Sequence, residues 1–196
     1  MSITGIILAG GLARRMGGID KGLIPFLGKP MIAHVIDQLK PQVEDMLINA
    51  NREIEHYEAL GLSVIQDQIA DFAGPLAGLH TGMKHAKTEF VLSVPCDSPL
   101  LPNNLAIDLM HALQTNNADI AIAKTGEQTH PVFCLCRTSL VSDLETFLTD
   151  GGRKVEDWQK RHQLTMVNFD DQSMAFSNIN TMNDLSDLER LVINKN

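Results

Sequence analysis

Ile3-Thr4-Gly5-Ile6-Ile7-Leu8-Ala9-Gly10-Gly11 opens the chain with a short apolar run that ends on two glycines. The run is too short to span a bilayer and has no basic residues before it, so it reads as a buried first strand and not as a membrane or signal segment. Similar runs recur at Asp45–Asn49, Ser63–Gln66, Phe90–Pro95, Asp119–Ala123, Val132–Cys136 and Leu164–Asn168. Several are apolar throughout, as central strands covered on both faces must be. Helical patterns alternate with them at Pro30–Lys40, Leu76–His85, Pro102–Leu113 and Ser139–Leu148. A last helix starts after Thr181, where Asp184 completes a capping box, and buries Leu185, Leu188 and Leu191 or Val192. Alternation of this kind predicts an α/β fold: three α/β/α layers, Rossmann-like, around a mostly parallel sheet. No repeat, linker or low-complexity stretch divides residues 1–196, so one domain is expected.

The strand order of such a sheet places ligands at the carboxyl ends of the strands. The segment after the first strand is therefore informative. It carries five glycines within thirteen residues, Gly10 to Gly22, together with Arg14, Arg15 and Lys21. Glycines let backbone N–H groups approach phosphate oxygens, and the three cations supply positive charge in a chain whose net charge is -8. That net charge argues against nucleic-acid and anionic-membrane partners and requires positive charge to be concentrated where an anion binds. An Arg-Arg pair alone would read as a solvated patch; glycine richness directly after a buried strand favours a triphosphate. The spelling matches neither the Walker loop nor the dinucleotide fingerprint.

Other stations fall after later strands. Asp97 lies in Pro95-Cys96-Asp97-Ser98-Pro99, a single carboxylate between backbone-restricting prolines. It suits either a cap for the following helix or magnesium, which needs only one or two carboxylates beside water and phosphate. Asn49-Ala50-Asn51-Arg52 follows the second strand and Asp67 the third, where short polar groups could meet ribose or the donors of guanine. For Asn51, a turn residue closing its own backbone bonds is as good a reading. Asn178-Ile179-Asn180-Thr181 projects two amides to one side of an extended segment, toward a substrate or a metal. The pair Arg153-Lys154 after Gly151-Gly152 offers charge to an acidic substrate. Cys96, Cys134 and Cys136, an odd number with no framework spacing, read as reduced, buried thiols and predict the cytoplasm.

The stretch L-A-G-G-x-A-R-R-M-G-G-x-D-K-G-L from Leu8 resembles the opening signature of the molybdenum cofactor guanylyltransferases, a branch of the nucleotide-diphospho-sugar-transferase-like fold. Gly74-Pro75-Leu76-Ala77-Gly78, the P-C-D-x-P segment, His130-Pro131 and N-x-N-T also match, in order, from Ile3 to about Leu191. Ser177 stands where that family more often has Val. The resemblance implies transfer of GMP from GTP to molybdopterin, with Mg²⁺ as cofactor. It implies GTP contacts from Leu8, Ala9, Gly10, Gly11, Lys21, Asn49, Asp67 and Asp97, with Asp97 holding the metal. It implies catalytic roles for Arg15, Lys21 and Asp97, and pterin contacts from Arg15, His130, Asn178 and Asn180. The partners implied are GTP and molybdopterin, with transient docking to cofactor-synthesis or acceptor enzymes. The competing readings are a cytidylyl- or uridylyltransferase and a non-catalytic GTP-binding cofactor chaperone.

Overall fold

The structure, a computed structural model, describes residues 2–9, 20–69, 74–177, 179 and 181–194. Gly10, Gly11, Arg14, Arg15, Asn178 and Asn180 lie outside the described residues. In chain order the elements are β1 (Ile3–Leu8), β2 (Pro25–Phe26), β3 (Lys29–Pro30), α1 (Met31–Leu39), β4 (Asp45–Asn49), α2 (Ile54–Glu58) and β5 (Ser63–Ile65). There follow α3 (Pro75–His85), β6 (Phe90–Pro95), α4 (Leu105–Thr115), β7 (Ile120–Thr125) and β8 (Gln128–Arg137). The chain ends in α5 (Val141–Thr149), α6 (Val155–Gln159), β9 (Leu164–Asn168) and α7 (Met182–Ile193).

Seven strands form one sheet in the order β5-β4-β1-β6-β8-β7-β9, and β2 and β3 form a small hairpin. Only β8 runs antiparallel to its sheet neighbours. All seven apolar runs of the sequence are these strands. The helices α1, α3, α4, α5 and α7 sit at the expected places, with ends shifted by a few residues.

Alternation along β1 divides the core. Ile3 and Ile7 enter a cluster with Val35 and Leu39 of α1 and Leu105 and Leu109 of α4. Ile6 enters the opposite cluster with Leu76, Leu79 and Met83 of α3, Leu144 and Leu148 of α5, and Trp158 of α6. Two fully apolar faces are what a central parallel strand requires. The helix α3 comes unusually close because Gly78 and Gly82, one turn apart, face the sheet. A Cβ on Gly82 would stand 2.2 Å from Ile6 Cδ1, and one on Gly78 would stand 2.2 Å from Asn49 Oδ1. The capping box at Thr181 forms as expected: its hydroxyl accepts from Asp184 N–H, and the Asp184 carboxylate accepts from Thr181 N–H. Among the described residues no helix is long and apolar enough to cross a membrane.

Between α3 and α5 lies His80, fully buried, with neither ring nitrogen hydrogen-bonded and Glu145 Oε1 3.9 Å from Nε2. Burial lowers its pKa below the ordinary 6.5, only partly opposed by Glu145. The folded state therefore holds neutral His80, whereas the unfolded chain takes up a proton at 6.5. Its contribution to stability is present above pH 6.5 and is lost as pH falls toward the depressed folded value. Melting temperature should fall as pH drops from 7.5 to 5, and His80→Leu should flatten that dependence. An unchanged slope in His80→Leu would assign the acid sensitivity elsewhere, first to His130, which burial shifts in the same direction.

Candidate active site

Four strand ends create the site. The register aligns Ile65 of β5, Asn49 of β4, Leu8 of β1 and Pro95 of β6 in one row across the sheet. The backbone ladder continues one step beyond it: Ala9 N–H donates to Asn49 O, Ala50 N–H to Ile65 O, and Cys96 N–H to Leu8 O. Asp67 and Asp97 each stand two residues past this row, on strands three steps apart. At about 4.8 Å per step, the two carboxylates mark poles on the order of 14 Å apart along one edge.

At the first pole, Asp67 is held by two amides. Asn49 Nδ2 donates to its Oδ1 at 2.9 Å, and Asn51 Nδ2 donates to its Oδ2 at 2.8 Å. Asn51 Oδ1 in turn accepts from the Asp67 N–H at 2.8 Å, so Asn51 grips both ends of the residue. Asn49 itself is buried and also reaches Ile65 O at 3.3 Å. A carboxylate oxygen has two lone-pair positions, so each Asp67 oxygen keeps capacity for an incoming donor. Gly74, at φ 152°, allows the turn that starts α3 at Pro75, and Gly78 lets that helix lie against Asn49.

At the second pole, Lys21 Nζ stands 3.1 Å from Asp97 Oδ2, with both side chains only slightly exposed at 18% and 15%. Asp97 does not cap α4, whose N-cap residue is Asn104. Among the described residues no three His, Cys, Asp or Glu side chains gather into a metal cluster. One carboxylate at a strand end, already attracting a cation and still reachable from solvent, fits magnesium, which fills its remaining positions with water and phosphate oxygens.

Beneath Lys21 is a group that sequence reading passed over. Asp20 is 4% exposed. Tyr57 Oη donates to its Oδ1 at 2.9 Å, and Arg52 Nη2 lies 3.5 Å from its Oδ2. Burial pushes the Asp20 carboxyl above its ordinary range, against the opposing pull of Tyr57 and Arg52. Burial likewise raises the Tyr57 hydroxyl far above its ordinary value, so it remains a donor. The position of Asp20 beside Lys21 in D-K-G was the available signal; Tyr57, from a five-residue helix, gave none.

His130 is buried at the bulge where the β7–β8 register shifts. Its Nε2 lies 2.8 Å from Thr125 Oγ1, and its ring stacks on Phe176 with centroids 4.8 Å apart. This packing fixes the ring of Phe176 against β8. Arg153 directs its guanidinium to the carbonyls of Leu148 and Gly152 at the end of α5. The three cysteines are free and buried.

The fold is similar to that of molybdopterin-guanine dinucleotide biosynthesis protein A from Archaeoglobus fulgidus, with a TM-score of 0.80, 23% identity and coverage of 97% of this chain and 99% of that one. It is also similar to CMP:2-keto-3-deoxy-manno-octonic acid synthetase, solved with CTP, at a TM-score of 0.74 and 13% identity over 100% of this chain and 99% of that one. Curated relatives are closer in sequence. The molybdenum cofactor guanylyltransferase of Ralstonia pickettii is 49% identical over 195 residues, 95% of each chain. That of Shewanella putrefaciens is 47% identical over 182 residues, 93% of each. The family model of the MobA-like NTP transferase domain matches residues 5–165, and with these relatives it shows that the chain belongs to that family.

Proposed function

We propose that this chain transfers GMP from GTP to molybdopterin, forming molybdopterin guanine dinucleotide and pyrophosphate. The observation that carries the reading is the alignment of an amide-clamped carboxylate and a lysine–carboxylate pair along one sheet edge. Asp67 accepts from the guanine N1–H and exocyclic amine, which no other common base presents together. Asn49 and Asn51 orient it. Lys21 binds the triphosphate and offsets charge that grows on the departing pyrophosphate.

Asp97 would hold Mg²⁺, which when bound would offset the charge on the phosphates. The terminal phosphate of molybdopterin attacks the α-phosphorus in line, and its negative charge is met by Arg15 and Lys21. Most of the rate comes from holding two mutually repelling anions in reactive geometry. Leu8, Ala9, Gly10 and Gly11 supply backbone contact to the nucleotide. Asn178 and Asn180 hold the pterin, with His130 supporting their segment through Phe176. The reaction belongs in the cytoplasm, where GTP and reduced thiols coexist.

Calorimetry on two variants tests the division of labour. Lys21→Ala should weaken GTP binding, whereas Asn180→Ala should leave GTP binding near normal and impair molybdopterin binding or turnover. Equal loss of GTP affinity in both would place the N-x-N element on the nucleotide and overturn its pterin role.

A further inference from the structure

A buried carboxylate is a costly way to fill space, since an apolar side chain of similar size would avoid the desolvation. Asp20 is nevertheless buried, with one hydrogen-bond donor and one more distant cation from a different part of the chain, and its Oδ2 accepts no hydrogen bond. Arg52 comes from the turn after β4, and Tyr57, fully buried, comes from α2. The space is closed around the pair. A Cβ on Gly22 would meet Tyr57 Oη at 3.0 Å and Cys96 Sγ at 3.1 Å. Asp20 has extended backbone at φ -66° and ψ 126°, and its carbonyl accepts from Leu23 N–H at 3.0 Å, starting a tight turn over Lys21–Leu23. Consecutive side chains of an extended backbone diverge. Asp20 accordingly points in toward Tyr57 while Lys21 reaches Asp97.

We propose that Asp20, held by the Tyr57 hydroxyl and paired at 3.5 Å with the Arg52 guanidinium, is a positioning residue that aims Lys21 at Asp97 and at the triphosphate. This rests on the reading of Lys21 as a triphosphate ligand. One turn reaches both poles: Arg52 lies 3.5 Å from the Asp20 carboxylate, and its chain neighbour Asn51 holds Asp67. The turn carrying both is fixed by Glu53 in the left-handed region at φ 53°.

The experiment is a double-mutant cycle on the full chain, reading magnesium–GTP affinity by calorimetry and melting temperature in parallel. Tyr57→Phe removes the donated hydrogen bond and keeps the ring. It should weaken GTP by about 5- to 10-fold in the wild-type background and by less than about 2-fold in Lys21→Ala, the non-additivity of residues acting through one group. Its effect on melting temperature should be the same in both backgrounds. Asp20→Asn, which keeps the shape and an acceptor for Tyr57, provides a second cycle if Tyr57→Phe folds poorly. Equal weakening in both backgrounds, or none in wild type, overturns the positioning role while leaving Lys21 a ligand. Normal GTP affinity in Lys21→Ala alone would instead overturn the reading of Lys21, and the inference with it.

Discussion

Asp97→Asn should fold with a melting temperature near that of the wild type and turn over roughly 10²-fold more slowly or worse, the scale of losing a principal electrostatic stabiliser. Asparagine preserves the size of the side chain and its place after β6. What it removes is the charge that draws Lys21 to 3.1 Å and that would hold Mg²⁺. The stability cost stays modest, because neither side chain is fully buried and the asparagine oxygen can still accept from Lys21 Nζ. GTP should still bind, more weakly, through Lys21 and the first pole. Steady-state kinetics across a magnesium titration checks this. Near-normal turnover at saturating magnesium would remove Asp97 from the metal.

Asp67→Ala should alter which nucleotide binds, more than whether one binds. Loss of the acceptor leaves two guanine donors unpaired, worth about 1–3 kcal/mol, or about 5- to 150-fold in affinity. ATP and CTP, which do not present that donor pair, should lose much less. The amide clamp adds a second expectation. Asn51→Ala frees one side of the carboxylate and unties its backbone N–H, so it should erode the preference for GTP in the same direction and to a smaller extent. Competition between the three nucleotides, measured on each variant, decides this. Uniform weakening across all three would mean that Asp67 serves ribose or the fold.

Most of the fold was legible because the sheet is buried on both faces, which makes its strands continuous apolar runs. Ile3–Leu8 and Phe90–Pro95 could be read directly for that reason. The five-residue helices α2 and α6 are too short to show a period, and neither was foreseen. Nor was the reach of β8, which begins at Gln128 because the hairpin turn at Gly126 lets it pair with β7 from its first residue. At the site, polar residues directly after strands were readable by position alone: Asn49, Asp67 and Asp97 do arrive at one edge. The partners that orient them were not. Asn51 was as easily a turn residue, and nothing local links Asp20 to Tyr57, 37 positions away. Such pairings are made by tertiary packing and leave no spacing to read.

The central claim is met most directly by supplying the chain with GTP, Mg²⁺ and molybdopterin and following pyrophosphate release together with product mass. The account predicts one pyrophosphate per molybdopterin guanine dinucleotide formed, with no release when molybdopterin is withheld and little product when CTP replaces GTP. GTP binding without pyrophosphate release, or preferential transfer of CMP, would contradict it.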